Sequence, residues 1–332
     1  MVMRALPRRL RRSLATPGLS GVEEPILEPR PEVIEAHDLR WIQIEEPRLA
    51  DRMWLAENFD FHELDLEDVA SRNQRPKVDE YPDYLFLVMQ FPRYDKATSR
   101  LHAAELDVFV GRDYVITLPN EPIPPLTQLF ERVGGRPEVR EELMTLGSGR
   151  LLYEVLDRCV DAGFPMLGTL GRKLRDLEED IFMGRSQEVV RDISNVKQEI
   201  INFRAVIRPQ RAVFRSLERA KQRYMSEELE IYYDDLTDAS ERIWDVLENF
   251  KEIVEGLEST NESVLSHRLN DGLRVLTAVS VILLPLTLLA SVFGMNVAFP
   301  GEGSPLAFWL IMGSMLAILL GMVAFFRSRG WL

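Results

Sequence analysis

The sequence predicts an α/β domain followed by long helices and two C-terminal membrane spans, on three observations. Residues 36–150 mix runs rich in β-branched and aromatic residues with turn residues, a mixed α/β pattern. From about Gly149 the apolar spacing turns helical, and after residue 225 no proline occurs until Pro285. Residues 275–293 and 306–326 carry no Asp, Glu, Lys or Arg. At about 1.5 Å per residue the first of these windows covers roughly 28 Å, close to the ~30 Å hydrocarbon core of a bilayer.

The elements follow in chain order. Residues 1–35 hold five arginines before the first acid at Glu23 and then a Pro-rich run. With no apolar core this is not a secretory signal; it reads as a disordered cytosolic arm or, alternatively, an Arg-rich targeting segment. In the α/β domain, residues 36–148, strands are predicted at 37–44, 84–91, 106–110 and 114–118, the last two forming a hairpin around Gly111-Arg112-Asp113. Residues 119–125, with their prolines, interrupt regular structure. Residues 149–225 form a helical hairpin: one helix to about Phe182, a break at Met183-Gly184, then a basic helix to about Tyr224. Pro165 and Pro209 kink or delimit these helices. A third helix is predicted over 226–293, capped by Ser226 and its following acids and running unbroken into the first span. Residues 294–305 form a short outer loop, 306–326 the second span and 327–332 a tail.

Charge and composition narrow the function. The 332-residue chain carries a net charge of −13, placed unevenly. Residues 226–262 hold 13 acids against Arg242 and Lys251, while residues 185–224 hold ten Lys or Arg against four acids. A helical hairpin pairing the two segments accounts for part of this. So acidic a chain is a poor nucleic-acid partner. Cys159 is the lone cysteine, the four histidines form no pair with zinc-ligand spacing, and no nucleophile–base set or phosphate loop occurs, so no enzyme is expected. Arg268 and Arg274 precede the first span and Arg327 and Arg329 follow the second, whereas the loop between has no basic residue. The spans therefore cross a cell (inner or plasma) membrane with both termini cytosolic.

On a helical wheel, Thr277, Ser280, Thr287 and Ser291 of the first span fall within an arc of about 80°. Leu273 and Leu284 share the arc and Leu276 borders it. The arc suits protein or water, and two readings fit: these hydroxyls line a water-filled path, or they bond their own helix carbonyls or a neighbouring helix. The opposite face, with Val275, Ile282, Leu286, Leu289 and Phe293, suits lipid. Gly313, Ala317 and Gly321 of the second span are spaced by four, so that span is expected to pack closely outside the first.

Where the first span ends, Gly294-Met295-Asn296 resembles the closing motif of the CorA family of divalent-cation channels. The resemblance continues through Asn270, the Leu-Pro-Leu-Thr segment at 284–287, a short loop, a second span and terminal Trp331-Leu332. It recurs upstream at Glu67, Asp68, Gln74, Arg75, Pro76 and Lys77. The resemblance implies a homopentameric funnel in which the long helix is the stalk, with Mg²⁺ as the transported ion and Co²⁺ or Ni²⁺ as secondary ions. It implies that symmetry-related Asn296 amides bind a hydrated divalent ion. Mg²⁺ dehydrates reluctantly, so a ring that bonds its water shell is chemically apt. Asn270, Leu273, Leu276, Leu284 and Thr287 would line the pore, with leucine rings as gate, and Glu302 of the loop would attract cations. Asp68 matches the family's intersubunit sensor acid and Asp235 its partner on the next subunit's stalk, with Asp238 one turn along.

The sequence also departs from the family. Val297 follows the motif, Phe293 replaces the common Tyr, the outer loop keeps only Pro300-Gly301-Glu302, and Ser259 stands where some relatives have an acid. These changes leave Zn²⁺ transport of the ZntB type open as a second reading. A non-conducting membrane receptor or scaffold is a third.

Overall fold

The computed structural model describes residues 28–71, 74–95, 100–220, 229–295 and 304–331. Asn296, Glu302 and Ser226, together with most of the N-terminal arm, lie outside the described residues. The α/β domain is a six-stranded sheet of β1 (Glu32–Ala36), β2 (Leu39–Gln43), β3 (Lys77–Glu80), β4 (Leu85–Asp95), β5 (Arg100–Val110) and β6 (Tyr114–Pro119), ordered β1-β2-β6-β5-β4-β3. Among the described residues only the β2–β6 pair is parallel. On one face Ile42, Ile116, Phe109 and Phe86 form a lateral row across four strands, packed beneath Leu55 of α1 (Leu49–Asn58) and Leu66 of α2 (Glu63–Asp68). On the other face Trp41 meets Phe130 of α3 (Pro124–Gly135) edge-on at 4.9 Å and donates to Thr117 Oγ1 at 3.2 Å. Strands β4 and β5 are therefore apolar over most of their length, as central strands covered on both faces must be.

Four predicted strands are present with shifted ends. Two more were not expected. β1 begins inside the stretch read as a disordered arm, and Arg30 N–H donates to Asp51 Oδ1 at 2.7 Å, so the arm is ordered at its end. Both β1 and β3 are edge strands whose charged residues mask a strand pattern. Residues 119–125 break structure less than expected: Pro119 closes β6, while Pro124 and Pro125 open α3, where a missing N–H costs nothing. After α4 (Pro137–Met144) the expected single helix to Phe182 is two, α5 (Ser148–Asp161) and α6 (Gly163–Phe182), separated at Ala162. Pro165 sits in the first turn of α6, and Pro209 lies inside α7 (Ser186–Ala220) without ending it.

The chain resolves into two compact units, residues 1–177 with 192–255 and residues 178–191 with 256–332. The 64-residue α8 (Glu230–Phe293) contributes to both. In the first unit, Tyr233, Leu236, Ile243, Leu247 and Val254 of α8 are buried at helical spacing. The approach to α6 is close, since a Cβ on Gly171 would lie 3.2 Å from Phe250. The expected charge pairing is present: Arg204 bonds Glu248, and Arg211 and Arg215 both bond Glu241. In the second unit α7 follows α6 through Gly184, whose φ of 91° favours glycine and whose carbonyl accepts from Arg268. There α9 (Pro305–Ser328) packs Leu319, Met322, Val323 and Phe326, with Trp331, against Ala278, Ile282 and Leu286 of α8. Two expectations change as a result. Part of the face assigned to lipid is covered by α9, and Gly313 and Gly321 are not the contact, since a Cβ on either would meet nothing within 4 Å.

Arg211, seconded by Arg215, holds the Glu241 carboxyl below its ordinary value of 4.5. A depressed acid stabilises the fold above that value and loses the contribution as pH falls through the folded value. Glu241→Gln should cost about 0.5–1 kcal/mol near neutrality and nothing in strong acid, read as the pH dependence of thermal unfolding in detergent.

Candidate cation sites

Asp68, the first sequence-predicted sensor acid, is the last residue of α2, three positions after Asp65 and on the same helical face. Asp65 is buried and accepts hydrogen bonds from Tyr84 at 2.7 Å and Tyr81 at 2.9 Å. Tyr84 in turn accepts from the His62 N–H at 2.8 Å, fixing the start of the helix. Carboxylate oxygens of Asp65, Asp68 and Asp79 all lie within 4.8 Å of one another. The Lys77 ammonium lies between two of them, 2.7 Å from Asp68 Oδ2 and bonded also to Asp79.

Sheet register adds a fourth acid. Leu118, Asp107, Val88 and Lys77 face one another across β6, β5, β4 and β3, which puts Asp107 on the same face as Lys77 and Asp79. Asp107 is fully buried, and neither carboxylate oxygen has a hydrogen-bond partner among the described residues. Burial pushes its carboxyl well above the ordinary range, reinforced by Glu105 and Asp68 and opposed by Lys77. Burial likewise raises Asp65, and it lifts Tyr81 to about 12 with the help of Asp65. The Lys77 ammonium, facing Asp68 and Asp79, is held charged despite the cost of burial.

Asp235 and Asp238 are exposed on α8. Within the chain Asp235 faces α5, where burial and then Asp161, Glu154 and Asp235 raise the Asp157 carboxyl against the pull of Arg158. Asp157 was not picked out from the sequence; its spacing of four from Asp161 on an amphipathic helix was the available signal. The expected Asp68–Asp235 pair joins two subunits, and a single chain holds one half of each.

In the span, Asn270, Leu273, Leu276, Leu284, Thr287, Gly294 and Met295 are all exposed. Leu273 is 60% exposed, Leu276 63% and Leu284 69%. Thr277, Ser280 and Thr287 donate to the carbonyls of Leu273, Leu276 and Leu283 at 2.7, 2.9 and 2.8 Å, so their clustering has a local explanation as well as a lining one. Asn296 and Glu302 lie outside the described residues.

Among the described residues, two helices long and apolar enough to cross a membrane follow an α/β domain rich in carboxylates, the layout of a two-span membrane protein. The family model of CorA-like Mg²⁺ transporter proteins matches residues 36–328, and the chain belongs to that family of divalent-cation transporters. It is 29% identical over 286 residues to the cobalt/magnesium transport protein CorA of Thermotoga maritima, covering 84% of this chain and 79% of that one. It is 20% identical over 305 residues to the zinc transport protein ZntB of Pectobacterium atrosepticum, covering 91% and 90%. The solved CorA magnesium transporter of Methanocaldococcus jannaschii shares the fold with a TM-score of 0.79 at 21% identity, over 90% of this chain and 93% of that one.

An acid raised by burial lowers stability as pH rises above its unfolded value, here 3.8 for Asp107. Asp107→Asn should therefore gain stability relative to the parent as pH rises above that value, with no such pH-dependent gain below it. Thermal unfolding of both proteins across pH checks this.

Proposed function

We propose that the protein is a homopentameric channel admitting Mg²⁺, with Co²⁺ and Ni²⁺ as secondary ions, into the cytosol. One observation carries the reading. α9 covers the Ala278–Ile282–Leu286 side of the first span, while the face bearing Leu273, Leu276, Leu284 and Thr287 stays exposed. An exposed strip of leucines punctuated by hydroxyls and ending near Gly294-Met295-Asn296 suits the axis of a symmetric ring. There, Asn296 amides bind the ion's water shell, Glu302 concentrates cations, and leucine rings close the path by dewetting. Asn270 marks the inner end of the same strip. Both termini face the cytosol, so the acidic domain samples cytosolic Mg²⁺.

Closure follows from ions bridging Asp68 of one subunit and Asp235 of the next, with Asp238 one turn away. An ion between facing carboxylates cancels their repulsion, and an empty site restores it. A site at ten times its dissociation constant contributes about 1.4 kcal/mol, so five give about 7 kcal/mol, above the ~5.5 kcal/mol that swings a population from 1:99 to 99:1.

A Zn²⁺ transporter is the second reading, favoured by the similarity to the ZntB protein. Proteoliposome uptake of Mg²⁺, Zn²⁺ and Co²⁺, with and without a pH gradient, separates them. Potential-driven Mg²⁺ uptake supports the channel, pH-driven Zn²⁺ uptake the alternative, and absence of flux a receptor or scaffold. Asn296→Ala should abolish Mg²⁺ uptake while leaving the oligomer intact on gel filtration; selective uptake retained in that variant would overturn the filter. Asp68→Ala and Asp235→Ala should each raise the cytosolic Mg²⁺ needed for half-closure by roughly tenfold.

A further inference from the structure

The acidic cluster around Asp68 is already occupied, and the occupant is part of the chain. Asp65, Asp68 and Asp79 bring three carboxylates within 4.8 Å of one another, the spacing of a cage around one cation. The buried Asp107 lies on the same face of the sheet and is electrostatically coupled to Asp68. Of these acids Asp68 and Asp79 are bonded by the Lys77 ammonium, so a cation of the chain itself already counters their charge. We propose that Lys77 is a tethered competitor for the divalent ion at Asp68: it holds the carboxylate when the ion is absent and must release it for the ion to bind. The inference rests on Asp68 being a sensor acid.

Geometry allows the exchange. Lys77 opens β3, an edge strand, and its side chain is 34% exposed, against 21% for Asp68. Its ammonium lies 5.3 Å from the Phe86 ring centroid, and its four-carbon stem can swing the charge into water without moving the strand. Asp79 offers the ammonium a second carboxylate, so that release of Asp68 need not leave the amine unpaired. Because Lys77 binds one of the two carboxylates that the divalent ion requires, closure sets in at a higher cytosolic Mg²⁺ than the carboxylates alone would give. A lysine that merely positioned Asp68 would act in the opposite direction, since its loss would weaken the site.

The sign of one measurement therefore decides. In the full-length protein, the cytosolic Mg²⁺ giving half-closure is read from currents across planar bilayers. The Mg²⁺ giving half-maximal thermal stabilisation in detergent is read in parallel. Lys77→Gln is expected to lower both by roughly fivefold to tenfold. Lys77→Met, which keeps an unbranched apolar stem of similar length, should do the same and guards against misfolding of the first variant. Lys77→Arg should stay within about twofold of the parent, and Lys77→Gln should have no effect in an Asp68→Ala background. If Asp68→Ala shifts closure but neutral variants of Lys77 leave it unchanged or raise the required Mg²⁺, the competitor is overturned and the sensor stands. If Asp68→Ala itself changes nothing, both fall.

Discussion

Helix α8 has to satisfy two solvents in succession. Its first half must be compatible with water and its last nineteen residues with hydrocarbon, where no backbone group can turn to a water molecule for a partner. The chain meets this by changing what each face of the helix is for. Up to Val254, one stripe is apolar and buried while acids recur on the other faces, Glu241 and Glu248 among them neutralised by arginines of α7. Past Arg274 the acids vanish, and Thr277, Ser280 and Thr287 turn their hydroxyls back onto the helix. A hydroxyl bonded in this way is cheap to place in lipid and is still able to accept from water. The same side chains can thus serve the fold and a wet pore, which is why their clustering alone does not distinguish the two.

Electrostatic economy is the second theme. Two of the acidic clusters among the described residues, around Asp68 and around Asp157, each have a local cation, Lys77 in the first and Arg158 in the second. Removing such a cation from a half-buried cluster costs more than removing it from a surface, because the charges left behind repel through a medium less polarisable than water. Cation identity then becomes the adjustable quantity. On the proposed reading, a monovalent amine on a flexible stem and a divalent ion from solution would compete for the same carboxylate, and only the second depends on concentration.

How much of this was legible in the sequence depended on what made each feature detectable. β2, β4, β5 and β6 announced themselves through Val, Ile and Phe, because strands buried on one or both faces must be apolar. β1 and β3 did not, because Glu32, Glu35, Lys77, Asp79 and Glu80 are what an edge strand carries. The end of the long helix and the second apolar helix were readable within a few residues, since absence of charge and absence of proline are unambiguous over such lengths, whereas the expected start at Ser226 lies outside the described residues. The break at Ala162 was not, because Gly163 and Pro165 are equally consistent with a kink. Asp68 and Asp235 were visible only through family resemblance. Asp79 and Asp107 were invisible, since nothing at positions 68, 79 and 107 predicts proximity until strand register is known. Asp157 needed α8 beside α5 to become notable.

The continuity of α8 carries a mechanical consequence. Between Asp235 and Leu273 the sequence has no proline, so no residue of that stretch imposes a bend on the helix. Any coupling of the proposed kind between the acidic positions and the leucines would depend on that stiffness, and a proline introduced between residues 235 and 273 would be the change it could least tolerate.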